Sequence, residues 1–497
     1  MTEPASMGVP GLDGLLNGGL PRRRLYLLHG EPGTGKTTLA LQFLKAGASR
    51  GERGLYITLS ETEEELRAVA ESHGWSLDEL HLFELTRVQS PAGVDAQYTL
   101  FHPAEVELSE TMTEILAEVE RSQPKRVVFD SLSEMRLLAR DALRYRRQVL
   151  ALKQFFAGRD CTVMLLDDGS AERGDLQIRS IAHGVIDLEN FTPPYGAERR
   201  RLRIAKLRGV RYRGGYHDFR IETGGLRVFP RLDAREPTLP REPGLLATGV
   251  EGLDGLVGGG LERGSSTVLM GTAGVGKSTI AMHYAVTTAK QGERVAMFLF
   301  EERIPTLIAR TQGLGLDFAT PRDAGLIGLQ EVNPAELTPG EFAAAVKEEV
   351  EQAGARMVII DSLNGYLNAM FDEHSLAVHM HELLSYLSRR GVVTLITVAQ
   401  QGVVEVSPGS LVDMSYLADT VLLLRYFETA GQVRVALSVV KRRGGSHERT
   451  IRELRMGPSG LRLSEPLVEF HGVLTGVPSY RGSSDPLLGN DDEQAAA

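Results

Sequence analysis

The sequence predicts two tandem α/β domains, each a mostly parallel sheet with helices on both faces. Three observations carry the prediction. A glycine-rich phosphate-loop (P-loop) pattern occurs twice in register. Within each half, apolar runs of strand length alternate with stretches of helical spacing. The length, 497 residues, accommodates two domains of ordinary-to-large size.

The repeat comes first because it sets the boundaries. Gly30-Glu31-Pro32-Gly33-Thr34-Gly35-Lys36-Thr37 fits G-x-x-x-x-G-K-S/T, and Gly271-Thr272-Ala273-Gly274-Val275-Gly276-Lys277-Ser278 fits it again 241 positions later. Gly8-Val9-Pro10-Gly11-Leu12-Asp13-Gly14-Leu15 matches Gly249-Val250-Glu251-Gly252-Leu253-Asp254-Gly255-Leu256 at the same offset, and Gly51-Glu52-Arg53 matches Gly292-Glu293-Arg294. Later anchors drift, to 231 from Asp130 to Asp361 and to 235 from Lys206 to Lys441, as small loop deletions would cause. The first domain is expected over 1–229 and the second over 246–480. Between them, 230–245 is proline-punctuated and charged, and reads as a linker. The tail, 481–497, is polar and acidic and is expected to be disordered.

The elements follow in order. Residues 24–29 read as a short strand feeding the first loop, and 37–49 as a helix with apolar positions at Leu39, Phe43 and Ala46. Residues 55–59, 126–129 and 162–166 are further strands, the last two continuous β-rich runs of the kind covered on both faces. The second copy repeats this at 266–270, 295–300, 357–360 and 392–398. Each copy closes in extended segments: 201–208 and 219–229, then 433–441 and 450–463.

Composition narrows the class. An apolar fraction of 42% supports well-built cores, and a net charge of −10 disfavours a surface that grips nucleic acid throughout. The single cysteine, Cys161, sits in an apolar run and reads as a core residue; one cysteine allows neither an internal disulfide nor a cysteine zinc ribbon. No secretory leader or membrane-length apolar run is visible, which predicts a cytoplasmic protein with no membrane partner.

The loops point to ATP with Mg2+. Glycines let backbone N–H groups converge on phosphate oxygens with no Cβ in the way, and the helix that follows adds its positive end. The candidate nucleotide-binding residues are Gly30, Gly33, Thr34, Gly35, Lys36, Thr37 and Thr38, and then Gly271, Gly274, Val275, Gly276, Lys277, Ser278 and Thr279. Lys36 and Lys277 can reach the β- and γ-phosphates, while Thr37 and Ser278 offer hydroxyls to the metal. Asp130 and Asp361 each end an apolar run and are the candidate carboxylates for Mg2+ or its water. A further acid follows the second strand: Glu61 in the first copy, Glu301-Glu302 in the second. A carboxylate there can accept a proton from attacking water, although Glu63, Glu64 and Glu65 leave a solvated helix start as the alternative for Glu61. After the next strand, Asp167-Asp168 is set against Gln400-Gln401. A glutamine would sense the γ-phosphate; two acids would repel it unless a cation intervenes.

These residues resemble the KaiC family of the RecA-like ATPases. The resemblance rests on the G-V-x-G-L-D-G-L lead-in, the two loops, Glu301-Glu302, the strand end Ile360-Asp361-Ser362-Leu363, and a late K-x-R-G motif, Lys206-Leu207-Arg208-Gly209 and Lys441-Arg442-Arg443-Gly444. It spans nearly the whole chain from Gly8. It implies two RecA-like P-loop NTPase domains, a homohexameric double ring with ATP between subunits, and protein signalling partners. Lys206, Arg208, Lys441 and Arg443 would then act on a neighbour's nucleotide. In such a family the second domain can phosphorylate itself just before a D-T-V strand. Here that strand is Asp419-Thr420-Val421, and Ser415 is the candidate phosphoacceptor, with Tyr416 in the place of the neighbouring threonine. Other readings stay open. The cluster Arg199, Arg200, Arg201, Arg203, Lys206, Arg208, Arg211 and Arg213 could bind nucleic acid or be a solvated face. The chain could also be a DNA motor, or a scaffold that binds ATP with little turnover.

Overall fold

The computed structural model describes residues 3–85, 103–139, 141–169, 176–193, 196–233, 244–367, 373–400, 417–429, 431–473 and 479–480. The chain divides into two compact units, Met1–Arg231 and Leu232–Ala497.

In the first unit the strands are β1 (Leu25–His29), β2 (Gly54–Thr58), β3 (His81–Glu84), β4 (Arg126–Asp130), β5 (Thr162–Asp167), β6 (Gly184–Phe191), β7 (Arg199–Leu207), β8 (Tyr216–Glu222) and β9 (Gly225–Phe229). They form one nine-stranded sheet in the order β3-β2-β4-β5-β1-β6-β7-β8-β9. The first six run parallel; β7, β8 and β9 are added antiparallel. Alternate residues of the apolar strands feed two separate cores. Leu55, Ile57, Val127 and Phe129 pack on one face, and Tyr56, Val128 and Met164 on the other. That two-sided burial explains why these strands read as unbroken apolar runs. Cys161 is buried just before β5, and burial pushes its thiol up to about 12.

The second unit repeats the plan. A short antiparallel ladder joins β10 (Leu245–Leu246) to β11 (Leu261–Glu262). The main strands are β12 (Ser266–Gly271), β13 (Val295–Leu299), β14 (Ile327–Glu331), β15 (Met357–Asp361), β16 (Val393–Ala399), β17 (Thr420–Thr429), β18 (Gln432–Arg442), β19 (Ile451–Gly457) and β20 (Gly460–Pro466). Their order, β14-β13-β15-β16-β12-β17-β18-β19-β20, is the first sheet's order element for element.

Three particulars differ from the sequence reading. The expected extended segments 219–229 and 450–463 are each two strands, because the chain turns at Gly224 and again before Gly460. The edge strands β3 and β14 were not expected; each is only half covered and carries too few apolar residues to stand out. Within 230–245, Leu232 packs in a core of the second unit and Leu245–Leu246 is paired; 234–243 and 481–497 lie outside the described residues.

Candidate functional site

Because six strands run parallel, the carboxyl ends of β1, β2, β4 and β5 share one edge. The phosphate loop after β1, Glu61 after β2, Asp130 at the end of β4 and Asp167 at the end of β5 therefore meet there, although they are far apart in sequence.

In the first copy the loop ends on Gly35 at φ 94°, a left-handed conformation that a Cβ disfavours, and the helix Lys36–Ala48 begins on the next residue. Lys36 Nζ donates to the carbonyls of Gly30 (2.8 Å) and Glu31 (3.0 Å), and Thr34 Oγ1 donates to Glu31 (2.7 Å). Burial lowers the proton affinity of Lys36, while Asp130, Asp168, Asp167 and Glu61 pull it back up. Tyr56 Oη donates to Asp130 Oδ2 at 2.5 Å and also hydrogen-bonds Thr37. The residues expected to hold a metal, Thr37 and Asp130, thus converge on one buried phenol. Burial raises the Asp130 carboxyl, and the Tyr56 bond offsets part of this.

Glu61 is set by its backbone. Thr58 Oγ1 accepts from the Glu61 N–H (2.9 Å) and donates to the Glu61 carbonyl (2.7 Å). Thr62 starts the next helix with a capping box to Glu65, so the solvated helix start is formed by Thr62 to Glu65 and Glu61 lies ahead of it. Glu61 Oε2 is buried and has no hydrogen-bond partner among the described residues. Burial, then Asp130 and Glu65, push its carboxyl up to about 7.

In the second copy Gly276 repeats the φ of 94°, and Lys277 Nζ donates to Gly271 (2.8 Å) and Thr272 (2.7 Å). Asp361 is again buried, but its partner is Thr397 Oγ1 from β16 instead of a tyrosine from β2. The acidic pair is split in role. Glu302, aligned with Glu61, is bridged by Arg310 at 2.7 Å; burial raises its carboxyl and Arg310 works against that. Glu301 is exposed, and its charge acts on Lys277.

One expected correspondence fails. The ladders pair His29 with Asp167 and Met270 with Val398. Asp167-Asp168 therefore corresponds to Val398-Ala399, and Gln400 to Gly169. The offset of 231 that Asp130 and Asp361 show gives the same correspondence; setting acids against glutamines did not carry it forward to β5. A cation does intervene in the first copy, since Arg136 Nη2 lies 3.2 Å from Asp167 Oδ1. Tyr56, Arg136 and Thr397 were all missed. The only signal for Tyr56 and Thr397 was one polar atom inside an apolar strand, which is ordinary on its own. Gln401 and Ser415 lie outside the described residues.

The late basic motif lies elsewhere. Lys206 stands opposite Val185 across a bulged β6–β7 ladder, and Lys441 opposite Val421 across an equally bulged β17–β18 ladder. The Arg208 N–H donates to His183 and the Arg443 N–H to Asp419, at the amino ends of β6 and β17. These amino ends flank the starts of β1 and β12, one strand length of roughly 13 Å from the phosphate loops. Both arginines are exposed. Within the first unit's basic cluster, Arg201 pairs with Glu189 and Arg203 with Asp187 directly across the ladder, and Arg200 with Glu198.

The residues present fit Mg-ATP. Each copy offers a helix-initial N–H cradle, an amine resting on exchangeable carbonyls, a hydroxyl, and a strand-end carboxylate. Mg2+ takes few protein oxygens and fills its remaining positions with phosphate and water, which suits one hydroxyl and one carboxylate. Among the described residues no helix is long and apolar enough to cross a membrane.

The doubled site and sheet define a tandem phosphate-loop ATPase. A family model described as the KaiC ATPase matches residues 5–233 and again 246–467. The chain belongs to the KaiC family. It is similar to the circadian clock protein KaiC3 of Synechocystis sp., 26% identical over 97% of this chain and 96% of that one. It is also similar to the circadian clock oscillator protein KaiC of Picosynechococcus sp., 28% identical over 95% and 91% respectively, and to that of Thermostichus vulcanus, 28% identical over 95% and 91%. Family membership carries ATP binding and hydrolysis as the activity of these domains.

Proposed function

We propose that the chain is a cytoplasmic ATP-driven timing or signalling switch that assembles as a hexameric double ring and hydrolyses ATP between subunits. One observation carries the reading. In each copy the phosphate loop and the K-x-R cations sit at opposite edges of the same sheet, held by the same bulged register. A strand's length then separates Arg208 and Arg443 from their own nucleotide, so they are suited to serve the next subunit's. A head-to-tail contact of this kind must close into a ring. The names of the relatives support the timing role.

Within a site the chain's groups divide the work. The loop N–H groups and Lys36 or Lys277 hold the phosphates. Thr37 with Asp130, and Ser278 with Asp361, would hold Mg2+, which when bound neutralises charge on the β- and γ-oxygens. Glu61, with its carboxyl near neutrality, accepts a proton from water in the first copy. Glu301 does so in the second, where Glu302 is tied to Arg310. Lys206 with Arg208, and Lys441 with Arg443, offset the charge that develops on the neighbour's transferring group. Self-phosphorylation at Ser415 belongs to the same reading, and phosphopeptide analysis after incubation with Mg-ATP tests it; unmodified Ser415 in active rings removes it.

The central test mixes subunits. Arg443→Ala should lower turnover in intact rings, and co-assembly with Lys277→Ala chains should restore part of it. No rescue at any ratio overturns action between subunits. Glu301→Gln with Glu302→Gln should abolish most turnover while ATP binding persists, and wild-type turnover would remove chemistry from the second copy.

A further inference from the structure

The first unit contains a charge cluster with no counterpart among the described residues of the second. Asp187, in β6, is 3% exposed. Its carboxylate lies 2.7 Å from Arg179, 2.9 Å from Arg203 and 3.5 Å from His29, the last residue of β1 before the phosphate loop. Burial pushes this carboxyl up, but the neighbouring His29, Arg179 and Arg203 outweigh that and hold it at about 2; both arginines donate to Oδ2, while Oδ1, which faces His29, has no hydrogen-bond partner among the described residues. A cavity of about 380 Å3 opens beside the cluster, lined in part by His29, Gly30, Glu31 and Arg179.

Arg179 links this cluster to the neighbour-facing cations. It lies in the short helix Leu176–Ile181, whose last carbonyls have no partner within the helix. The basic side chains fill that need. Lys206 Nζ donates to the carbonyls of Arg179 (2.7 Å) and Ser180 (3.1 Å), and Arg208 Nη2 donates to Ser180 (3.1 Å). The residues that orient Lys206 and Arg208 are therefore fixed by the guanidinium of Arg179, and that guanidinium is fixed by Asp187. In the second unit the ladder places Met270, Leu423 and Ser438 where the first has His29, Asp187 and Arg203. There Arg443 lies 3.5 Å from Asp419 instead.

We infer that Asp187 is a positioning residue of the first ring: through Arg179 it fixes the helix end that orients Lys206 and Arg208 toward the next subunit's nucleotide. This rests on the reading that these cations act between subunits. A buried carboxylate bonded to two guanidiniums is a stiff joint, because breaking any one contact leaves charge desolvated. Stiffness there suits a group that must meet a phosphate across an interface without reorganising.

The test uses full-length chains carrying Glu301→Gln and Glu302→Gln, so that turnover reports the first ring. Asp187→Asn should lower kcat about tenfold, with KM and ring assembly little changed. Co-assembly with Lys36→Ala chains, which cannot bind nucleotide in the first ring but present intact cations, should recover part of the loss. Arg208→Ala mixed with Lys36→Ala is the control. If the control is rescued and Asp187→Asn is not, Asp187 acts only within its own site and the inference fails. If the control also fails, the intersubunit reading falls and takes the inference with it. Arg179→Gln, which leaves the buried carboxylate in place with Arg203 and His29, should show the same rescue should Asp187→Asn fold poorly. Wild-type turnover in a folded Arg179→Gln chain overturns the inference directly.

Discussion

Replacing Glu61 with Gln should remove a pH-dependent weakness from the first unit. The Glu61 carboxyl is raised from 4.5 to about 7 by burial and by the nearby acids Asp130 and Glu65. At 1.36 kcal/mol per pK unit that shift corresponds to about 3 kcal/mol. Because the side chain is partly open to solvent, screening reduces it to about 1–2 kcal/mol. The sign follows from linkage. A carboxyl that binds its proton more tightly in the folded state contributes stability that is complete below about pH 4.5 and is lost as pH rises through about 7. Gln mimics the protonated form at every pH. The advantage of Glu61→Gln over the parent should therefore be near zero at pH 4 and grow to about 1–2 kcal/mol by pH 8.5. Trp75 is the only tryptophan and packs against a core of the first unit, so its fluorescence during urea titration without nucleotide reports this unit alone. With a slope of roughly 2–3 kcal/mol/M the midpoints should separate by about 0.5 M at the alkaline end. Midpoint differences that stay constant from pH 4 to pH 8.5 would refute the burial argument, as would a variant that loses ground at high pH.

Other outcomes follow from single contacts. Arg126 is fully buried and donates to the carbonyls of Ser6 (2.6 Å) and Phe43 (2.7 Å) and to Glu52 (2.6 Å). Arg126→Met, which installs the residue of the second copy, should cost the first unit about 2–4 kcal/mol in the same fluorescence titration; a loss under about 0.5 kcal/mol would show the carbonyls finding other donors. Thr397→Val removes the donor to Asp361. It should raise the Mg2+ concentration for half-maximal turnover of the second copy about tenfold, and an unchanged Mg2+ titration would mean that Thr397 does not orient the carboxylate. Met456 and Ile221 lie where a Cβ on Gly276 or Gly35 would enter, both at φ 94°. Gly276→Ala should therefore abolish ATP binding by the second copy, as read by nucleotide titration, and near-normal affinity would contradict the strained-loop account.

Much of the site was legible because its parts are local words. A phosphate loop is eight consecutive residues whose glycines answer a backbone need. A strand-end acid is marked by the apolar run before it. Both survive as patterns, and the repeat at 241 made each copy evidence for the other. The same periodicity misled at β5, where a gap-shifted register set Asp167 against Gln400. The hydrogen-bonded ladder, with His29 beside Asp167 and Met270 beside Val398, restores the frame and agrees with the offset of 231 between Asp130 and Asp361.

The sequence by itself determined the doubled α/β plan, the two phosphate loops and the acids Asp130 and Asp361, because these depend on local backbone chemistry and hydrophobic period. Only the tertiary structure decided what each acid meets. Asp130 faces Tyr56 while Asp361 faces Thr397, Glu61 is half-buried while Glu301 is exposed, and Asp167 and Asp187 are held by arginines. Those partners come from strands and helices distant in the chain. Burial and charge at one sheet edge are properties of what the fold brings together, and no window of sequence contains them.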